Sequence, residues 1–334
     1  MTKVDLITGF LGAGKTTFIL EYVKELVQRG ERIGVIENDY GAINVDLLLL
    51  HEELGDKCRL EMVIGGDPDC HRRRLKTKLI AMGIDRYDRV IVEPSGLFDV
   101  DEFMDLLYEE PLEHMLRLEN VIAVVDADAV RQQVELRKKE DAADGRAGYS
   151  EETRYILAEE LTKAGCVLLS KSEELSPEGE AEVTDYLNEC LLEVGCKRSL
   201  SEKDILVKRE GRIDEAGWER ILSAGSRDAA YVKKNILKEG TYRSVFFFHV
   251  TLPDIPVDEL MRQIFTDPEC GNPVRIKGFV PDGTDGWIMI NATKEQTEVE
   301  KSSVGQPVII VIGERINEDK IGSYWAAYEN EYRN

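Results

Sequence analysis

A chain of 334 residues is too long for one ordinary domain and suits two; with 43% hydrophobic and 32% charged residues it has the make-up of a globular protein with a sizeable core. Its 43 Lys and Arg against 65 Asp and Glu leave a net charge of −22, which argues against a nucleic-acid partner and disfavours an anionic membrane surface. The six cysteines are scattered without a CxxC pair, no apolar run reaches the length of a membrane span, and the first residues enter an ordered pattern at once, so a cytoplasmic protein without a signal peptide is expected.

KVDLIT opens the chain as an apolar strand, and TTFILEYVKELVQR follows with amphipathic helical spacing. Between them, Gly9 and Gly14-Lys15-Thr16 stand in the GxxxxGK[ST] spacing of a P-loop. The mechanism needs strand, turn and helix in that order. Gly9, Gly12 and Gly14 let the backbone curl so that successive N–H groups face one phosphate, and the helix start adds its positive dipole end. Gly12, Ala13, Gly14, Lys15, Thr16 and Thr17 are therefore the expected nucleotide-binding residues. Lys15 is expected to reach the β- and γ-phosphates, and the Thr16 hydroxyl to ligate Mg²⁺.

RIGVIE reads as the second strand, and GGDPDCHRRR, residues 65–74, comes some distance after it. Asp67, Asp69, Cys70 and His71 are all of metal-ligating type. The same letters also describe an Asp-Pro-Asp turn capping a helix that begins near His71, or a basic contact loop for an acidic partner. All three readings stay open. DRVIVE is a strand buried on both faces, and its last residue, Glu93, occupies the Walker B position for holding Mg²⁺ or its water. Gly96, three residues on, is placed to bring a backbone N–H to the γ-phosphate.

EFMDLLYE is a helix, NVIAVVDA and CVLLS are further strands, and residues 127–154 turn charged and Gly/Ala-rich, which predicts an exposed helical insertion. CVLLS runs into Ser170-Lys171-Ser172-Glu173, which matches the [NT]KxD guanine motif only in outline. An acid there accepts from N1 and the exocyclic amine of guanine, while the Lys stem covers the base. Glu173 keeps the acceptor pair with one more methylene, and Ser170 replaces the usual Asn. A polar strand end without base contact is the competing reading. Past residue 227 the pattern changes to FFFHV, PVRIKGFV, GWIMIN and PVIIVIG with two helical segments.

Strands alternating with helices predict an α/β P-loop NTPase with a mostly parallel sheet flanked by helices, followed by a small α+β C-terminal domain. The expected boundaries are 1–226 for the P-loop domain, 227–240 for a linker and 241–334 for the second domain. Cys166 and Cys190 fall on apolar faces, and His114 and His249 are expected to be structural rather than ligands.

The P-loop, the ExxG at Glu93 and the KxE motif, in this order, resemble the P-loop GTPases of metal-cofactor assembly, and among them the CobW-like metallochaperones and metal insertases. GFLGAGKTT is similar to that branch's P-loop. IENDYGAINVD (36–46) is similar to its NEFGExGID switch segment, VRIKGFV (274–280) to its RxKGF strand, and VIGERIN (311–317) to its later strand-to-helix junction. The resemblance implies a first domain that binds GTP and Mg²⁺ and hydrolyses slowly. It also implies switch movement that controls metal release or docking to a metal- or corrinoid-dependent client. A homodimer is compatible with it. Carried over by position, Lys15, Glu93 and Asp39 form the catalytic set, and Thr16, Glu93 and Asp46 the Mg²⁺ set.

Three departures stand out. The family's CxCC falls on Asp67-Pro68-Asp69-Cys70, the second switch Glu falls on Ala42, and the chain has only four His. Carboxylates in place of two thiolates harden the ligand set, which weakens a site for Zn²⁺ or Co²⁺ at Asp67, Asp69 and Cys70. Two other functions suit a P-loop chain: a small-molecule kinase, and a regulatory module that holds nucleotide without hydrolysing it.

Overall fold

The structure is a computed structural model that describes residues 1–39, 50–51, 53–64, 68–94, 100–140, 149–173, 175–233, 242–283, 286–294, 296–303 and 305–329, with the backbone alone at 38–39, 64, 68–71, 139–140 and 328–329. Two compact units divide the chain: Met1–Ala42 with Glu53–Ile236, and Ile43–Glu52 with Leu237–Asn334.

The first unit is built on seven strands: β1 (Thr2–Thr8), β2 (Ile33–Asp39), β3 (Arg59–Ile64), β4 (Arg89–Glu93), β5 (Leu116–Asp126), β6 (Cys166–Ser170) and β7 (Ile205–Val207). They hydrogen-bond in the order β3-β2-β4-β1-β5-β6-β7, every neighbour parallel. The central runs are apolar without alternation because both faces are buried: Leu6, Val92, Ala123 and Val167 are all fully enclosed. Winding proceeds to one side of β1 through β4 and β2, and to the other through β5 and β6. That reversal opens a crevice at the carboxyl end of β1, where ligands of open α/β sheets sit.

Lower in the sheet, β1 and β5 shift register between Val4 and Asp5. The buried Asp5 carboxylate there accepts from Arg89 at 2.5 Å, the Tyr22 hydroxyl at 2.6 Å and Asn120 Nδ2 at 2.9 Å. Arg89 in turn donates to Glu31 at 2.9 Å. Each polar group in this buried cluster has a partner, which is the condition for tolerating a charge under the sheet.

Two strands of this unit escape sequence reading. β7 is three residues long, and β3 is an edge strand in which Arg59 and Glu61, paired with each other, alternate with Leu60 and Met62. The charged stretch at 127–154 also differs from the expected exposed insertion. Ala127–Glu140 is a helix whose Ala127 and Val130 join the core, and Glu151–Thr162 is largely buried. The charges that suggested exposure lie on the outer side, where Arg137 meets Glu189 at 2.6 Å and Lys138 meets Glu182 at 2.6 Å. Residues 141–148 lie outside the described residues.

The second unit carries β8 (Tyr242–Thr251), β9 (Asn272–Pro281), β10 (Trp287–Thr293), β11 (Thr297–Ser302), β12 (Val308–Glu314) and β13 (Ala327–Glu329). These form an antiparallel sheet in the order β11-β10-β9-β12-β8-β13. Phe247, Ile276, Ile290, Ile309 and Val311 pack with Leu260, Met261 and Ile264 of the helix Val257–Thr266 in one core. Gly278 has φ 156°, and a Cβ there would stand 2.1 Å from the Val308 carbonyl oxygen, so β9 approaches β12 more closely than a side chain allows.

Cys166 and Cys190 are buried as expected. The two histidines are not core residues. His114 is 73% exposed beside Glu113, and His249 is exposed at the end of β8 with φ 48°. The left-handed backbone at His249 interrupts the alternation of β8, which continues to Thr251, and Phe spacing alone does not reveal it.

Candidate functional site: a P-loop crevice

β1 ends at Thr8, and Gly9, Gly12 and Gly14 take φ of 143°, 79° and 88°, values that only glycine adopts freely. The turn closes with the Ala13 N–H donating to Phe10 O at 3.1 Å. Gly14 is the left-handed N-cap of the helix Lys15–Gln28, so the loop delivers its backbone directly onto a helix amino terminus. A Cβ on Gly9 would stand 2.3 Å from the Val124 carbonyl oxygen; the first turn lies flat against β5. Lys15 folds back over the loop, its Nζ donating to Gly9 O at 2.8 Å and Phe10 O at 3.4 Å. Strand, loop, Lys15 and helix occupy the arrangement that the spacing predicts.

The β6 end comes to the other side of this loop. The Ser170 hydroxyl lies 2.6 Å from Ala13 O and 3.1 Å from Val125 O, joining the SKSE turn to both the P-loop and β5. Lys171 sits at φ 48°, a strained conformation for a non-glycine residue, and is held by an ion pair to Asp126 at 2.7 Å. Asp126 ends β5 in register with Ser170, and its other oxygen accepts the Ala129 N–H at 2.9 Å. The Ser172 hydroxyl donates to Lys208 O at 2.9 Å, which pins the turn to the chain beyond β7. Glu173 is exposed and free to meet a base edge from solvent.

For a divalent cation, the Thr16 hydroxyl lies 3.5 Å from both Glu93 carboxylate oxygens. Glu93 is buried at the carboxyl end of β4. Thr16 and Glu93 both offer hard oxygen donors of the kind Mg²⁺ takes, and they are the residues that would hold it here. Glu37 was not singled out in the sequence. It pairs in register with Glu93 across β2 and β4 and is also buried, so a second carboxylate borders the same strand ends. Its signal was available: RIGVIE ends in an acid just as DRVIVE does.

Asp126 and Glu160 were missed as well. Glu160 is a buried acid on the helix Glu151–Thr162, and its Oε2 accepts the Gly9 N–H at 2.9 Å. Only the packing of that helix under the loop reveals it.

Asp46, Asp67 and Gly96 lie outside the described residues, and Asp39, Asp69, Cys70 and His71 are described by backbone alone. The backbone at Asp69–His71 runs within the helix Pro68–Ile84. Elsewhere, Glu110, Glu113 and His114 bring their ligand atoms within 4.8 Å of one another, all exposed. A cleft of about 910 Å³ lined by Thr2, Lys3, Glu31, Tyr87, Asp88 and His114 opens at the amino ends of β1 and β4, the opposite end of the sheet from the P-loop. No helix among the described residues is long and apolar enough to cross a membrane.

A parallel sheet with a P-loop at its switch point and an acid ending the adjacent strand defines a P-loop nucleotide-binding protein. The family described as CobW/HypB/UreG, nucleotide-binding domain, matches residues 3–193, more than half of the chain, and the chain belongs to it. Among curated relatives, the zinc chaperone YjiA of Escherichia coli is 35% identical over 133 residues, covering 37% of this chain and 40% of that one. The zinc chaperone YeiR of the same organism is 25% identical over 248 residues, 72% of this chain and 66% of that one. The matches thus span between 40% and 66% of those relatives' lengths. A solved structure of Zn(II)-bound YjiA GTPase from E. coli aligns over 97% of both chains at 18% identity with a TM-score of 0.38.

Proposed function

We propose that this protein is a GTP-binding, slowly hydrolysing switch of the metallochaperone type, its nucleotide state controlling docking to a metal-dependent client or delivery of a metal. The observation that carries the reading is the bond from Ser170 to Ala13 O, which joins the P-loop to the SKSE turn at the carboxyl end of the sheet. The proposed phosphate-binding and base-binding elements thereby border one crevice. The names of the relatives supply the metal half of the proposal.

In this reading the backbone of Gly12 to Thr17 cradles the phosphates while Lys15 leaves Gly9 O for the β- and γ-oxygens. Thr16 and Glu93, with Asp46, hold Mg²⁺, which supplies charge neutralisation at the β- and γ-phosphates when bound. Asp39 serves the hydrolysis step from the switch segment, and Gly96 offers its N–H to the γ-phosphate. Glu173 accepts from guanine while the Lys171 stem, fixed by Asp126, covers the ring. The P-loop domain is proposed to end near residue 226, with 227–240 as linker. Asp67, Asp69 and Cys70 are the proposed transition-metal ligands for Zn²⁺ or Co²⁺, and the client is of metal- or corrinoid-dependent type.

Titration of GTP, ATP and GDP against the wild type and Lys15→Ala tests the nucleotide half. The wild type should prefer GTP, hydrolyse it slowly, and lose binding at least tenfold in the variant, about 1.4 kcal/mol. Zn²⁺ and Co²⁺ titrations of the GTP and GDP forms, with Cys70→Ala as control, test the metal half. Equal binding in the variant, or none with either metal, would remove the chaperone reading and leave the GTPase.

A further inference from the structure

Glu160 has no place in the chemistry described so far, yet it touches the loop on which that chemistry depends. It is fully enclosed, its Oε2 accepts the N–H of Gly9 at 2.9 Å, and its own backbone carbonyl lies 3.3 Å from the Thr8 hydroxyl. The next atoms along the chain complete a relay, because Gly9 O accepts from Lys15 Nζ at 2.8 Å. A buried carboxylate therefore grips one side of the Gly9 peptide and the phosphate-binding lysine grips the other.

We propose that Glu160 is the positioning residue of the P-loop and that it takes up a proton when the phosphates of a nucleotide arrive. This rests on the nucleotide-binding reading above and adds a linkage to it.

The charged groups acting on Glu160 are few. From the start of the helix Lys15–Gln28, the Lys15 ammonium favours its ionised form; from its own helix, Glu159 opposes it. Glu159 is occupied by the Tyr231 hydroxyl at 2.6 Å. The Gly9 N–H and the Thr8 hydroxyl favour the carboxylate, but burial outweighs them and pushes Glu160 up to about 7.

A bound nucleotide changes two of these contributions in the same direction. Lys15 turns its charge to the phosphates, and the phosphates add negative charge beyond the loop. Both disfavour the carboxylate, so the bound form holds its proton to higher pH than the free form. By linkage, binding above neutrality takes up a proton, and affinity falls as pH rises through the free value. The protonated acid still has one oxygen to accept from Gly9, so the loop keeps its shape in either state.

Calorimetry of GDP binding with Mg²⁺ at about pH 8, in buffers of different ionisation enthalpy, counts the protons taken up. At that pH the nucleotide's own phosphates are already ionised and contribute little. The wild type should take up a substantial fraction of one proton per GDP, and its affinity should fall severalfold between about pH 7 and pH 8.5. Glu160→Gln keeps the Gly9 acceptor without the titration, so it should bind at least as tightly as the wild type at the upper pH with no proton uptake from this site. Glu160→Ala should lose affinity at every pH.

Proton uptake at about pH 8 that is absent from the wild type, or equal in the wild type and Glu160→Gln, overturns the linkage. Absence of uptake in the wild type overturns the linkage whether or not the variants fold. A wild type that binds GDP at no pH would overturn the nucleotide reading itself, a result distinct from tight binding without protons.

Discussion

At the scale of single residues, the crevice depends on side chains that the motifs do not spell out. Ser170 stands where the guanine motif has Asn, and its hydroxyl bridges to the P-loop, to Ala13 O at 2.6 Å. Ser170→Ala should cost about 1 kcal/mol of stability and weaken GTP binding more than the stability loss explains, read by denaturant titration beside nucleotide titration. Glu160 adds a pH term. Its folded value of about 7 lies above the ordinary 4.5, so the contribution is neutral below the lower value and becomes a penalty as pH rises toward the upper one. Glu160→Gln should gain on the wild type across that window, reaching about 3 kcal/mol at alkaline pH. Denaturation curves at acid and alkaline pH check the sign.

Among elements, the loop geometry follows from what each strand end must do. β1 runs into three positive-φ glycines that turn the chain onto the helix Lys15–Gln28, and β6 runs into a left-handed lysine that pairs with Asp126. In the second unit the critical contact is β9 against β12. Gly278→Ala would place a Cβ 2.1 Å from Val308 O, forcing the two strands apart. The expected loss is about 3 kcal/mol, the upper part of the usual range for one substitution, seen as a lower unfolding midpoint of the second unit with GTP affinity of the first unchanged.

The whole molecule carries a charge of −22, and its ion pairs, such as Arg29 with Glu215 and Glu219, relieve that excess only locally. Self-repulsion of such a surface is screened by salt. Raising ionic strength from about 0.01 M to about 0.1 M shortens the screening length from about 30 Å to about 10 Å. The thermal midpoint should therefore rise by a few degrees over that interval, whereas a chain held mainly by surface ion pairs would lose stability.

Local pattern by itself determined the architecture and the P-loop of this protein. Unbroken apolar runs give a parallel sheet, and Gly9 to Thr16 hold their chemistry within eight consecutive residues, so spacing suffices to read them. Glu93 and the SKSE turn were legible for the same reason, as polar residues ending apolar strands. Only the tertiary structure decided the rest. β3 and β7 are edge strands, one interrupted by Arg59 and Glu61 and the other only three residues long, and the charge of the helix Ala127–Glu140 hid its buried side. Glu160 reaches Gly9 across 151 positions of sequence, Ser170 reaches Ala13 across 157, and Glu37 meets Glu93 only where β2 and β4 pair. Contacts of that separation are set by how sheet and helices pack, and no local periodicity carries them.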